Sequence, residues 1–316
     1  MRTVAAATAL VAAILLAACV PEVISGGSGS FGVGTAGHNV AVGDLSRTYL
    51  LHVPTKRPVN TSGIVRPYSL VIVLHGSSGS AEEIEATTRM DLLSETGRFL
   101  VAYPNGLKGG GGLFPSDWNA GACCGAANRE NIDDLGFISA IITQVSKQLA
   151  VDPKRVYVAG FSDGGRMAYH VACQLSPLIA AVAVVSGSLK DDACVPTKGV
   201  PVLAIHGTAD DEVPYDDPAL TPPTATPTGV GATLSQSLQF WLVRNGCTSA
   251  VVSKRSPNVT RTDFTTCSGG EVVFYSIEGG VHAWPGDPGG AGSQPPMSEL
   301  NASAIIASFF AAKQRT

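Results

Sequence analysis

The stretch VYVAGFSDGGRMAYH, Val156 to His170, decides how the chain is read. A short apolar run reaches Gly160-Phe161-Ser162-Asp163-Gly164-Gly165 and then passes into helix-forming residues. The glycines allow a buried strand to reverse tightly into a helix. The serine between them is left strained and exposed on the turn, with the helix dipole aimed at it. A G-x-S-x-G match alone is common; a strand before it and a helix after it are the setting that a nucleophile elbow requires.

A serine hydroxyl is a poor nucleophile without a base. Of the six histidines, His282 stands apart. It follows the late strand EVVFYSIEGG, two glycines precede it closely, and Trp284 comes just after. It is expected to act as general base and then as general acid to the leaving group. The remaining member is a carboxylate after the strand PVLAIHG, where HGTADDEVPY offers Asp210, Asp211 and Glu212. Asp210 is assigned, with Asp211 as the alternative; its task is to hold the imidazole tautomer and stabilise the imidazolium. The order Ser…Asp…His is that of an α/β-hydrolase. Two backbone amides, of Asp163 and of Ser77 in the loop HGSSGS, are expected to form the oxyanion hole. Bulk at Gly76 should therefore harm more than loss of the Ser77 side chain. His75 and Trp118 are expected at the substrate-binding rim, with Trp284.

Buried-strand runs alternate with helical spacing along the chain. Strands are predicted over RTYLLHVP, SLVIVLHG, FLVAYPNG, RVYVAG, AAVAVVSG and PVLAIHG; helices over 81–97, near 132–150 and over 303–312. The alternation implies an α/β fold, a mostly parallel sheet with helices on both faces. Residues 38–316 read as one catalytic domain, with a Pro/Thr-rich surface loop over 216–232. At 316 residues, with 45% hydrophobic and 15% charged, the chain suffices for one large core. A net charge of −4 without a basic block argues against a nucleic-acid partner.

The N-terminus reads differently. Arg2 precedes an apolar run, Val4 to Ala18, too short for a membrane span. It ends in LLAAC, which resembles the lipobox of bacterial lipoproteins. That resemblance implies a signal peptide over 1–18 and a lipidated Cys19, and two acyl chains give stable anchoring. Residues 19–37, rich in Gly and Ser, read as a flexible tether. The expected location is extracellular or on the surface of the bacterial envelope, with membrane contact through the lipidated end only.

With Cys19 set aside, the even number of cysteines left in an exported chain suggests disulfides. Cys247 with Cys267 is the first pairing, worth about 3 kcal/mol through loop closure. Cys173 with Cys194 is the second. Cys123 and Cys124 bond either to each other or to that second pair. No CxxC or HxxxH spacing supports a zinc site, and no metal or organic cofactor is implied.

RTYLLHVP, LHG, YPNG, WNAGACCG, DDLGF, VYVAGFSDGGRMAY, HGTADDEVPY and GGVHAWPG follow one another across nearly all of the chain. Together they resemble the bacterial polyhydroxybutyrate-depolymerase-like esterases, including LpqC-like lipoproteins, grouped with feruloyl and acetylxylan esterases of the first carbohydrate esterase family. The resemblance implies a serine carboxylic ester hydrolase with Ser162, Asp210 and His282 as triad. Its small-molecule or oligomeric substrates would be short-chain, hydroxyalkanoate, feruloyl or acetyl-sugar esters. The family often has Asn where Asp163 stands, and a third glycine where Val281 stands. The same triad would serve a cell-envelope acyltransferase, and the same fold a catalytically idle surface adhesin.

Overall fold

The computed structural model describes residues 31–108, 116–215 and 233–315. The signal segment, Cys19 and the Pro/Thr-rich 216–232 lie outside the described residues. In chain order the elements are β1 (Gly34–Val42), β2 (Leu45–Val53), β3 (Tyr68–Leu74), α1 (Ala81–Thr88), α2 (Met90–Gly97), β4 (Leu100–Pro104), β5 (Leu107–Lys108) and β6 (Ser116–Asp117). Then come α3 (Gly125–Arg129), α4 (Asp134–Gln148), β7 (Val151–Phe161), α5 (Asp163–Gln174), β8 (Ala181–Val185) and β9 (Val202–Gly207). The chain closes through α6 (Leu234–Arg244), β10 (Ser249–Lys254), β11 (Val259–Thr265), β12 (Val272–Ile277) and α7 (Ala302–Ala311).

Among the described residues ten strands form one sheet in the order β1-β2-β4-β3-β7-β8-β9-β12-β11-β10. From β4 to β12 every neighbour is parallel, and antiparallel strands close both edges. The central strands are apolar on both faces. In β3, Leu70, Ile72 and Leu74 pack with α4, α5 and α6, while Val71 and Val73 pack with α1, α2 and α7. This two-sided burial is why these strands read as unbroken apolar runs. The strand order reverses between β3 and β7, which pair in register from Leu70↔Val156 to Leu74↔Gly160. Loops leaving the carboxyl ends of β3 and β7 therefore flank the crevice where ligands bind in such sheets.

Two expectations are corrected. The helix expected over 81–97 is two helices, because Arg89 adopts a left-handed φ of 48° and donates its amide to the Glu85 carbonyl at 2.8 Å. A straight helix would point Ile84 and Met90 in different directions; the break lets both enter one core cluster. The tether expected to run to residue 37 also ends earlier. Phe31 is buried against the core, and Gly34 to Gly37 already pair with Val53 to Leu50 of β2. Ladder hydrogen bonds need no side chains, so a Gly-rich segment held by its neighbour becomes a strand.

The disulfides are Cys247–Cys267, Cys173–Cys194 and the adjacent pair Cys123–Cys124. Three such bonds belong to an oxidising compartment outside the cytoplasm. The sulfurs that cluster with Asp163 and with Asp191 are all bonded in this way, so they are not free metal ligands. Among the described residues no helix is long and apolar enough to cross a membrane.

Candidate active site

Ser162 follows β7 and stands at the N-cap of α5 with φ 53° and ψ −118°, a left-handed conformation that a side chain adopts only under constraint. The neighbouring glycines supply the constraint. A Cβ on Gly160 would meet the Gly164 carbonyl oxygen at 2.0 Å, and one on Gly164 would meet the Leu74 carbonyl oxygen at 2.3 Å. Glycine lets α5 start directly against β3 and β7. The Ser162 amide donates to Val185 O at 3.0 Å, which ties the turn to β8.

His282 Nδ1 lies 2.9 Å from both carboxylate oxygens of Asp210. The Asp210 carboxylate has no exposed surface. Its Oδ1 also accepts the amides of Val213 at 2.9 Å and Glu212 at 3.1 Å. His206 Nε2 stands 3.3 Å from Oδ2 and donates to Val213 O at 2.8 Å. Burial pushes the Asp210 carboxyl up. The hydrogen bonds from His282 and Val213 and the nearby imidazoles outweigh it, so the group sits below the ordinary carboxylate range. Burial lowers His206, which keeps that ring neutral beside the acid. Asp211, by contrast, is exposed.

Ser162 and His282 line one cavity of about 330 Å³. The Ser162 hydroxyl makes no hydrogen bond to the imidazole in this structure. The outer nitrogen of His282, Nε2, is 3.7 Å from Glu212 Oε2. The ring of His282 packs on Phe161, with centroids 5.0 Å apart.

Ser77 lies in the loop after β3 and Asp163 opens α5, on either side of Ser162. Among the described residues, neither amide has a backbone acceptor outside the regular elements, and Asp163 is the first residue of α5, where amides lack partners within the helix. The Ser77 hydroxyl is turned away, donating to Asp117 Oδ1 at 3.0 Å. A Cβ on Gly76 would sit 3.3 Å from the Ser162 Cβ, so the loop and Ser162 are already in close contact. Asp163 is bonded to Arg166; burial raises its carboxyl and the guanidinium opposes that rise.

Of the expected rim residues, Trp118 is misplaced. It is fully buried, does not line the cavity, and donates its indole N–H to the His75 carbonyl at 2.9 Å. It holds the Ser77 loop from below. His75 does reach the cavity wall, but both ring nitrogens are engaged. Nδ1 donates to Gly76 O at 2.7 Å and Nε2 accepts from the Gly106 amide at 2.8 Å. Burial lowers its basicity, consistent with a neutral imidazole that braces a loop. Trp284 lines the cavity with its indole N–H held by Ser303 Oγ at 3.0 Å.

Two supporting residues, Asp117 and Arg166, are not read from the sequence; a third, His206, reads there as a loop-shaping histidine where a strand ends beside glycine. Asp117 anchors Ser77 and the start of α3. His206 faces the acid. Arg166, one helical turn beyond Ser162, joins Asp163 to both sulfurs of the Cys123–Cys124 pair at 3.9 Å. Only His206 left a sequence signal: like His75, it precedes a glycine at the end of a buried strand.

Residues 54–223 match the family described as esterase PHB depolymerase. NocK of Nocardia uniformis subsp. tsuyamanensis is 31% identical over 268 residues, 80% of this chain and 74% of its own length. Feruloyl esterase C of Emericella nidulans is 30% identical over 256 residues, 78% of this chain and 79% of its own. In fold, the acetyl xylan esterase from Aspergillus awamori superposes with a TM-score of 0.55 at 17% identity, covering 78% of this chain and 94% of that one. Alignment over most of both chains, on the sheet that this architecture demands, places the protein: it belongs to the esterase PHB depolymerase family and is a carboxylic ester hydrolase of the α/β-hydrolase fold.

Proposed function

We propose that the chain is a serine esterase that works through an acyl-enzyme on short-chain, hydroxyalkanoate, feruloyl or acetyl-sugar esters. The observation that carries this reading is the strained Ser162 turn opening into the same cavity as the buried His282–Asp210 pair. In the proposed cycle the Ser162 oxygen adds to the ester carbonyl while His282 Nε2 takes its proton. For this, Nε2 turns from its position near Glu212 towards Oγ, an adjustment of the kind that substrate binding often brings. The amides of Asp163 and Ser77 donate to the developing oxyanion, each worth about 3 kcal/mol. The alcohol leaves with the proton from His282; water, deprotonated by the same imidazole, then adds to the acyl carbon, and the acyl–Oγ bond breaks as His282 returns the proton to Ser162 and the acid departs. Asp210 holds the ring and remains ionised throughout.

A fluorophosphonate probe should label one residue, Ser162, located by peptide mass spectrometry. A panel of acetyl, butyryl, hydroxybutyryl and feruloyl esters then ranks the acyl groups. Absence of labelling, together with no release of 4-nitrophenol from 4-nitrophenyl acetate, would remove the reading.

We also propose that LLAAC directs diacylation of Cys19 and holds the enzyme on the outer face of a membrane. Expressed in a bacterial host fed radiolabelled palmitate, the full chain should carry label and pellet with membranes, while Cys19→Ala should do neither. Equal labelling of both would dismiss the anchor.

A further inference from the structure

The cavity above Ser162 carries fixed charge of one sign. Glu83 from α1, Glu212 from the loop after β9 and Asp287 from the segment after His282 all line it, and no lysine or arginine does among the described residues. Arg166, the guanidinium nearest the nucleophile in sequence, is bonded to Asp163 and is not part of the lining. Ile84, Phe161 and Trp284 supply apolar wall between the carboxylates. The Asp287 carboxylate is oriented by the Gly289 amide at 3.1 Å and is half-buried, whereas Glu83 is exposed.

From this we infer that Glu83 and Asp287 make the enzyme select against esters that bear a free carboxylate, favouring electrically neutral ones. The inference rests on the reading that Ser162 attacks the ester inside this cavity. A carboxylate on the acyl or alcohol part would surrender hydration on entering and meet like charge with no cation to pair with. Apolar walls focus the field of the rim groups into the cleft. A neutral, hydroxyl-bearing alcohol pays no such penalty. Esters of neutral sugars therefore suit the cavity, while hydroxyalkanoate oligomers ending in a free acid suit it poorly.

The test compares two substrates of the same chain length, 4-nitrophenyl methyl adipate and its free-acid counterpart 4-nitrophenyl hydrogen adipate. For the native enzyme at low salt, kcat/KM should favour the neutral ester by about tenfold, the low end of what a one-sign cleft produces. Raising NaCl to about 0.5 M should shrink the preference to about threefold, because the rim charges are solvent-accessible and become screened. Glu83→Gln with Asp287→Asn should shrink it to about the same level by speeding the anionic ester, with the neutral rate changed less than about twofold. The neutral rate also reports that the variant is folded. A native preference below about twofold, or one that neither salt nor the substitutions reduce, would overturn the inference. If neither ester were cleaved, the serine-esterase reading itself would be at fault.

Discussion

Ser162→Ala should abolish ester hydrolysis, lowering kcat/KM by at least about 10⁴-fold, with the fold intact. The loss comes from chemistry alone. Alanine has a Cβ like serine, so the φ of 53° at this turn carries the same steric cost in both proteins. Among the described residues the Ser162 hydroxyl has no hydrogen-bond partner whose loss would weaken the fold, whereas the backbone bond from the Ser162 amide to Val185 O remains. Circular dichroism and thermal unfolding should match the native protein, and fluorophosphonate labelling should disappear. What survives is the modest acceleration that an oxyanion hole and substrate binding provide without a nucleophile. Near-native turnover in this variant would mean that another group attacks the carbonyl, and the site would have to be sought elsewhere.

The parts of the fold legible in the sequence are those where a physical demand admits few residue types. The turn at 160–165 needs glycine because a Cβ at Gly160 or Gly164 would overlap backbone atoms, and that demand is written directly into the chain. Strands β3, β8 and β9, and β7 from Val156 to Gly160, are buried on both faces, so apolar residues run through them without alternation. The edges follow a looser rule. In β10, Val251 and Val252 are 58% and 66% exposed, so no buried face imposes a pattern, and the register comes from β11. At β1 the composition is that of a linker and only pairing with β2 makes it a strand. The placement of the candidate site divides in the same way. The positions of Ser162, Asp210 and His282 follow from where the strands end, whereas Trp118 misled because a loop tryptophan reads equally well as a rim or as a post. Its role is set by the tertiary contact to the His75 carbonyl, which no local pattern encodes.

Asp210→Asn should lower kcat/KM by about 10³- to 10⁴-fold, while Asp211→Asn should change it less than about threefold. The two acids are adjacent in sequence and opposite in environment. Asp211 is exposed, so its charge is screened by water. Asp210 is enclosed, and its Oδ1 is held by the amides of Val213 and Glu212. Those two donors determine how an asparagine would sit: its carbonyl takes the Oδ1 place and its NH₂ takes the Oδ2 place. The NH₂ then lies 2.9 Å from His282 Nδ1, where it competes with the carbonyl oxygen at the same distance, and 3.3 Å from the Nε2 of His206. A donor in that position favours the His282 tautomer protonated at Nε2, the nitrogen that must be free to take the serine proton. The negative charge that would stabilise the imidazolium is gone as well. Because the amide keeps the shape of the acid and the bonds to Val213 and Glu212, KM should change little and the loss should fall on kcat. Equal losses in the two variants would transfer the role to Asp211, and a loss in KM alone would make Asp210 a structural residue.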